Sequence, residues 1–153
     1  MTEEEGLFLA DAAETEAIGA AIAARLRPGD IVALEGALGM GKTTLARGLL
    51  AALGFVGEVP SPTFAIVQPY APPDVRLPVW HVDLYRLEDA GETEELGLEE
   101  ALEEGALLVE WPDRLGAYLL GKALRLSLRG APDGGRRLTW EASASWEGRW
   151  PPR

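Results

Sequence analysis

The sequence predicts an α/β fold in which helices pack on a mixed central sheet and the C-terminal part is rich in strands. Three observations carry this expectation. Apolar, β-branched runs alternate with helical patterns along much of the chain, the arrangement that lays strands and helices side by side. A glycine-rich turn, "GALGMGKTT" at residues 36–44, joins one such run directly to one such helix. Near the end, "ALRLSLRG" and "RRLTWEAS" alternate apolar with polar residues around the turn "APDGG", as the arms of a hairpin do.

Taken in order, residues 11–26 place Ala, Ile and Leu at helical spacing and stop at "PGD", so they read as an amphipathic helix. "DIVALEG" is a short strand broken by Gly36, and residues 42–53, "KTTLARGLLAAL", form a helix that Gly54 ends. In "FVGEVPSPTFAIVQPY" the prolines flanking Ser61 force extended backbone, because the residue before a proline avoids the helical region. "TFAIVQPY" then reads as a strand, "APPDVRLP" as the loop of a long hairpin, and "VWHVDLYR" as its return strand. "ETEELGLEEALEEG" is acidic and helical, and "ALLVEWP" is a buried strand stopped by Pro112.

The chain has 153 residues, enough for one domain with a full core, taken as residues 1–153. Its net charge of −11 argues against direct grip on nucleic acid, which rewards clustered Lys and Arg. With no cysteine, disulfides, thiolate zinc sites and cysteine nucleophiles are excluded. The acidic start "MTEEEGLFLA" is unlike a basic secretory leader, and no apolar run has the length of a membrane span, so the expected location is the cytoplasm.

Gly36-x-x-x-x-Gly41-Lys42-Thr43 is a complete Walker A pattern. Glycines let the loop wrap closely, so that successive backbone N–H groups face an anion. The helix that follows adds the partial positive charge of its N-terminus. Lys42 supplies a mobile cation for the terminal phosphates, and the Thr43 hydroxyl is a ligand for Mg²⁺. Placed between a strand and a helix, the loop predicts a P-loop NTPase-like three-layer fold.

Such a site also needs an acid at a neighbouring strand end, to hold Mg²⁺ and orient the attacking water. Asp83 in "VWHVDLYR" and Glu110 in "ALLVEWP" both qualify, and spacing does not say which of them meets the metal. Trp111 reads as a core aromatic, with a stacking platform near the nucleotide as the alternative. His81, the single histidine, reads as structural and alternates onto the strand face of Asp83. Ser61 and Thr63 sit in the stiff "SPTF" segment, after the loop helix, where nucleotide switches lie.

"GALGMGKTTLARG", "VPSPTFAIVQPY", "HVDLYRL", "ELGLEEAL" and "LVEWPDRL" occur in this order and at close spacing. Together they resemble the TsaE family (also called YjeE), the small bacterial ATPase required for threonylcarbamoyladenosine on tRNAs that read codons starting with A. The resemblance runs from about residue 12 to about residue 115; beyond about residue 120 it is one of strand-rich character only.

The resemblance implies ATP or ADP and Mg²⁺ as ligands. The loop residues Leu38, Gly39, Met40, Gly41, Lys42, Thr43 and Thr44 would wrap the phosphates, and Thr43 and Glu110 would serve the metal. Asp83 would position water near the γ-phosphate, so that Asp83, Glu110 and Lys42 form the catalytic set. Trp111 would border the nucleotide, "SPTF" would be the switch, and Arg136 or its neighbour Arg137 would reach in from the C-terminal hairpin. The family's partners are the TsaD and TsaB proteins, of which TsaD performs the transfer to tRNA; tRNA is then met only through the complex. The chain departs from the family at Ala37, where the usual residue is Asp; the backbone donors of the loop are unaffected. Two other readings compete on the residues alone. One is a small-molecule P-loop kinase, for which the chain lacks an Arg-rich insert long enough for a lid. The other is a nucleotide-dependent binding module in which Asp83 and Glu110 hold Mg²⁺ without catalysis.

Overall fold

The computed structural model describes residues 6–37, 39–59, 67–85, 96–132 and 134–150. Leu38, Ser61, Thr63 and the first residues of the expected acidic helix lie outside these stretches.

Within them the strands are β1 (Leu7–Leu9), β2 (Ile31–Glu35), β3 (Val67–Tyr70), β4 (Val79–Asp83), β5 (Ala106–Glu110), β6 (Ala123–Gly130) and β7 (Arg136–Ala142). The helices are α1 (Ala12–Ala23), α2 (Lys42–Ala52), α3 (Leu98–Ala101) and α4 (Ala117–Leu120), with 3-10 turns at Pro112–Arg114 and Ala144–Trp146. All the strands join one mixed sheet in the order β1-β7-β6-β2-β5-β4-β3. Parallel pairing runs through its centre, where β2 is flanked by β5 and β6 and β5 is paired with β4. The antiparallel pairs are the hairpins β3–β4 and β6–β7 and the edge pair β1–β7. Both hairpins follow the sequence expectation.

The central strands are apolar on both faces because both are covered, as parallel strands require. On one face Val32, Leu34, Leu108 and Leu126 pack under α1 and α2, against Ile22, Leu45 and Leu49. On the other, Ile31, Ala33, Val82 and Leu107 meet Leu98, Leu115 and Leu119. Helix α1 starts where Asp11 accepts a hydrogen bond from the Glu14 amide at 2.9 Å, an ordinary N-cap. It crosses α2 so closely that a Cβ on Gly19 would lie 2.2 Å from the Leu45 carbonyl oxygen, and one on Gly48 2.1 Å from that of Glu16. These two glycines, poor helix formers by propensity, are there for contact.

The chain end is fastened by a buried ion pair. The Arg149 guanidinium donates to both oxygens of Asp30 at 2.6 and 2.8 Å, and to the carbonyls of Arg25 and Ser145, while stacking over the buried Trp146 ring.

The structure departs from the sequence expectation in three places. The acidic helix expected over residues 92–105 is, among the described residues, only the single turn Leu98–Ala101, which begins at Gly97 in the left-handed region at φ 74°. The return strand ends at Asp83, short of Leu84 and Tyr85. Strand β1 and helix α4 had no counterpart in the sequence reading. Among the described residues, no helix is long and apolar enough to cross a membrane.

Candidate functional site

Strand β2 delivers the glycine loop to one end of the sheet centre, and α2 carries it away. Gly36 has φ +150°, and a Cβ there would stand 2.8 Å from the Leu128 carbonyl oxygen, so the loop leaves β2 pressed against β6. Gly41 is the N-cap of α2 in the left-handed region at φ 103°, with no side chain capping the helix. Helix α1 is capped by Asp11 whereas α2 is not, and an uncapped first turn keeps its N–H groups for an external acceptor.

Lys42, the first residue of α2, is 5% exposed. Its ammonium lies 3.9 Å from Glu110 Oε1 and 4.1 Å from the centroid of the Trp111 ring, and among the described residues it has no hydrogen-bond partner. Burial pushes its pKa below the usual lysine value, while Glu110 and then Asp83 draw it back up. A buried ammonium has three donors to satisfy, and a ring face and a carboxylate at 3.9 Å leave them unspent.

The two acids are register partners at the ends of β4 and β5, on the sheet face that α1 and α2 cover. Asp83 is 6% exposed, and its Oδ1 accepts the Tyr85 amide at 2.8 Å. Glu110 is 4% exposed, and its Oε2 lies 2.7 Å from Nε2 of His81, which is fully buried. The contact between His81 and Glu110 was missed in the sequence, whose only hint was the alternation of His81 with Asp83 along one strand.

Trp111 belongs to neither apolar cluster of the core, which corrects the reading of it as a core aromatic. It takes a left-handed backbone, φ 57°, at the turn out of β5, and its ring tilts against Tyr85 with centroids 4.9 Å apart. A positive φ on a bulky residue is costly, and here it turns the ring over Lys42.

These groups face a cavity of about 390 Å³. Its floor is Gly39, Gly41, Lys42, Thr43 and Thr44; Asp83, Glu110 and Trp111 form one side. Leu9 to Ala12, Thr15, Gly135 and Arg136 form the other, a wall that the sequence reading did not assign apart from Arg136. Arg136 donates from Nη2 to the Gly39 carbonyl at 3.1 Å, whereas Arg137 points away, to the Gly6 carbonyl at 3.2 Å. Met40, half-buried, packs against the apolar core and does not line the cavity.

Among the described residues no group of three or more His, Cys, Asp and Glu side chains is placed to hold a metal ion unaided. The hydroxyl of Thr43 and the carboxylates of Asp83 and Glu110 are hard oxygen donors few in number. That donor set suits Mg²⁺, which keeps several waters and shares itself with phosphate oxygens.

The family model described as "Threonylcarbamoyl adenosine biosynthesis protein TsaE" matches residues 9–138. The chain belongs to the TsaE family. The match extends past the stretch over which the sequence resemblance was specific and takes in β6 and Arg136. A TsaE protein of Bacillus subtilis (strain 168), named as a tRNA threonylcarbamoyladenosine biosynthesis protein, is 42% identical over 130 residues, 84% of this chain and 80% of that protein. The protein of the same name from Synechocystis sp. (strain PCC 6803) is 43% identical over 113 residues, 71% of this chain and 70% of the other. A crystal structure of B. subtilis YdiB superposes with a TM-score of 0.76 at 34% identity, covering 91% of this chain and 85% of that one. The TsaE match therefore includes the glycine loop, both acids and the wall that faces them.

Proposed function

We propose that this chain is a Mg-ATP-binding P-loop ATPase that serves threonylcarbamoyladenosine modification of tRNA, as an ATP-driven regulatory or resetting subunit of a TsaB–TsaD complex. The observation that carries the nucleotide reading is the buried Lys42 ammonium without a hydrogen-bond acceptor, held above a glycine loop and beneath an uncapped helix start. A triphosphate supplies the acceptors that these donors lack. The P-loop NTPase-like reading of the fold rests on that loop and on its place at the end of a central parallel strand. The biological role rests on the names of the TsaE relatives.

On this reading the loop amides of residues 38–44 and Lys42 bind the phosphates. Thr43 and Glu110 hold Mg²⁺, which when bound neutralises charge on the phosphate oxygens. Asp83 orients the attacking water and accepts its proton, as the incoming oxygen bonds to the γ-phosphorus and the bridging oxygen leaves with ADP. Trp111 borders the nucleotide, and Arg136 approaches it from the β6–β7 turn. The acidic surface leaves tRNA to the partners, and the chain works in the cytoplasm.

Two measurements test this. Calorimetry with Mg-ATP is expected to register binding that Lys42→Ala abolishes. Steady-state hydrolysis is expected to be slow alone and to change when TsaB and TsaD are added, because an incomplete site gains stabilising groups from a partner. Binding without any change on addition of the partners refutes the subunit role; absence of binding refutes the whole reading.

A further inference from the structure

We infer that His81 is a positioning residue that tethers Glu110 away from Lys42, so that the ammonium stays free for a phosphate; this rests on the nucleotide reading above. Glu110 stands between two hydrogen-bond donors. Its Oε2 is 2.7 Å from His81 Nε2, and its Oε1 is 3.9 Å from Lys42 Nζ, well beyond the 2.7–2.9 Å of a charge-assisted hydrogen bond (a range of about that size is usual). Between side chains this buried, a free carboxylate beside a lysine closes that gap, since each is the other's best partner. The imidazole prevents it.

The direction of the bond follows from the atoms. An ionised carboxylate only accepts, so the ring donates from Nε2. Nδ1 is buried without a partner, which a lone pair tolerates better than an N–H does. The geometry therefore places a hydrogen on Nε2. The tether is rigid because His81 is fully buried in the middle of β4, hydrogen-bonded into the sheet between β3 and β5.

Removing the tether has a specific consequence. Glu110 falls onto Lys42, and nucleotide binding must then break that pair even when no metal is present. The test is calorimetric titration of ADP in EDTA against the wild type, His81→Asn, His81→Gln and the double variant His81→Asn with Glu110→Gln, with thermal unfolding as the folding control. The amide of Gln reaches the place of Nε2, whereas that of Asn does not. His81→Asn is expected to weaken metal-free ADP binding about tenfold, the worth of one hydrogen bond to a charged group. His81→Gln is expected to stay within about threefold of the wild type. The double variant is expected to recover, because a neutral amide no longer neutralises Lys42. Equal affinities for folded His81→Asn and the wild type, or no recovery in the double variant, overturn the inference.

A second measurement needs no variant. His81 is the only histidine in the chain, so long-range proton–nitrogen correlation spectra of the wild type report its tautomer without assignment. A hydrogen on Nε2 is expected; one on Nδ1 alone overturns the tether even if every variant fails to fold. If the wild type binds no ADP, the nucleotide reading fails, while the spectrum still decides the contact between His81 and Glu110.

Discussion

Among the described residues two buried cations, Arg149 and Lys42, face carboxylates, and they are treated in opposite ways. Arg149 spends its donors on both oxygens of Asp30 at 2.6 and 2.8 Å and on two backbone carbonyls. Lys42 stands 3.9 Å from Glu110 and has no hydrogen-bond partner among the described residues. The first cluster is closed and fastens the end of the chain to the turn before β2. The second is open, and the fold bears the cost of an unsatisfied charge beside a cavity. A buried charge that is fully paired belongs to the scaffold; one left wanting marks the place where something is to be received.

The contrast breaks most visibly by removing each cation in turn. Lys42→Met is expected to weaken Mg-ATP binding by about 100-fold or more, while the urea midpoint moves by the equivalent of no more than about 1 kcal/mol, because Glu110 keeps its hydrogen bond to His81 once the ammonium is gone. Arg149→Met is expected to do the reverse. Stability drops by roughly 3–5 kcal/mol, because Asp30 is left buried without its counter-ion. Nucleotide affinity of the folded protein stays within about twofold, as is usual for separated sites. Should both variants lose stability equally in urea titrations, the distinction between an open and a closed pair would be wrong.

The same contrast explains what was legible in the sequence. The glycine loop, β2, α2, both hairpins and the two strand-end acids were readable because each is a local pattern: a motif, an alternation, a turn signal. Arg136 was visible as a candidate, but its neighbour pointed the other way only once the register of β7 against β1 was known. Contacts made across the sheet were not readable. Nothing local says that His81 reaches Glu110, that Trp111 swings out of the core, or that Arg149 finds Asp30 over a hundred residues away. Strand β1 is only three residues long, too short for a period. Nor does anything local say that Gly19 and Gly48 are where two helices touch.

That helix crossing offers the next test. Gly48→Ala drives a Cβ to 2.1 Å from the Glu16 carbonyl oxygen, against backbone that has little room to yield. Despite the better helix propensity of alanine, stability is expected to fall by about 1–3 kcal/mol or somewhat more, as overpacking does, read from urea unfolding. A gain in stability would mean that α1 and α2 are further apart than described.

The smallest effect concerns a buried group that is unpaired and neutral. Tyr70 keeps its hydroxyl without a partner, and burial raises its pKa above the usual 10.0. Its neutral form therefore contributes stability that is complete below pH 10.0 and is lost as pH climbs from there through the higher folded-state value. Tyr70→Phe is expected to remove this component. Thermal unfolding measured between neutral and strongly alkaline pH should fall off less steeply in the variant, and identical slopes would deny the shift.

The pairing of β1 with β7 sets Leu9 directly opposite Arg136, so the outer wall of the cavity is supplied by the two ends of the chain. During synthesis, the glycine loop and both acids emerge from the ribosome while that wall still lacks its second half. Among the described strands β1 pairs with β7 alone, so it has no sheet partner until β7 is made. A chain that ended before the final hairpin would lack both Arg136 on the cavity wall and β6, against which the glycine loop leaves β2.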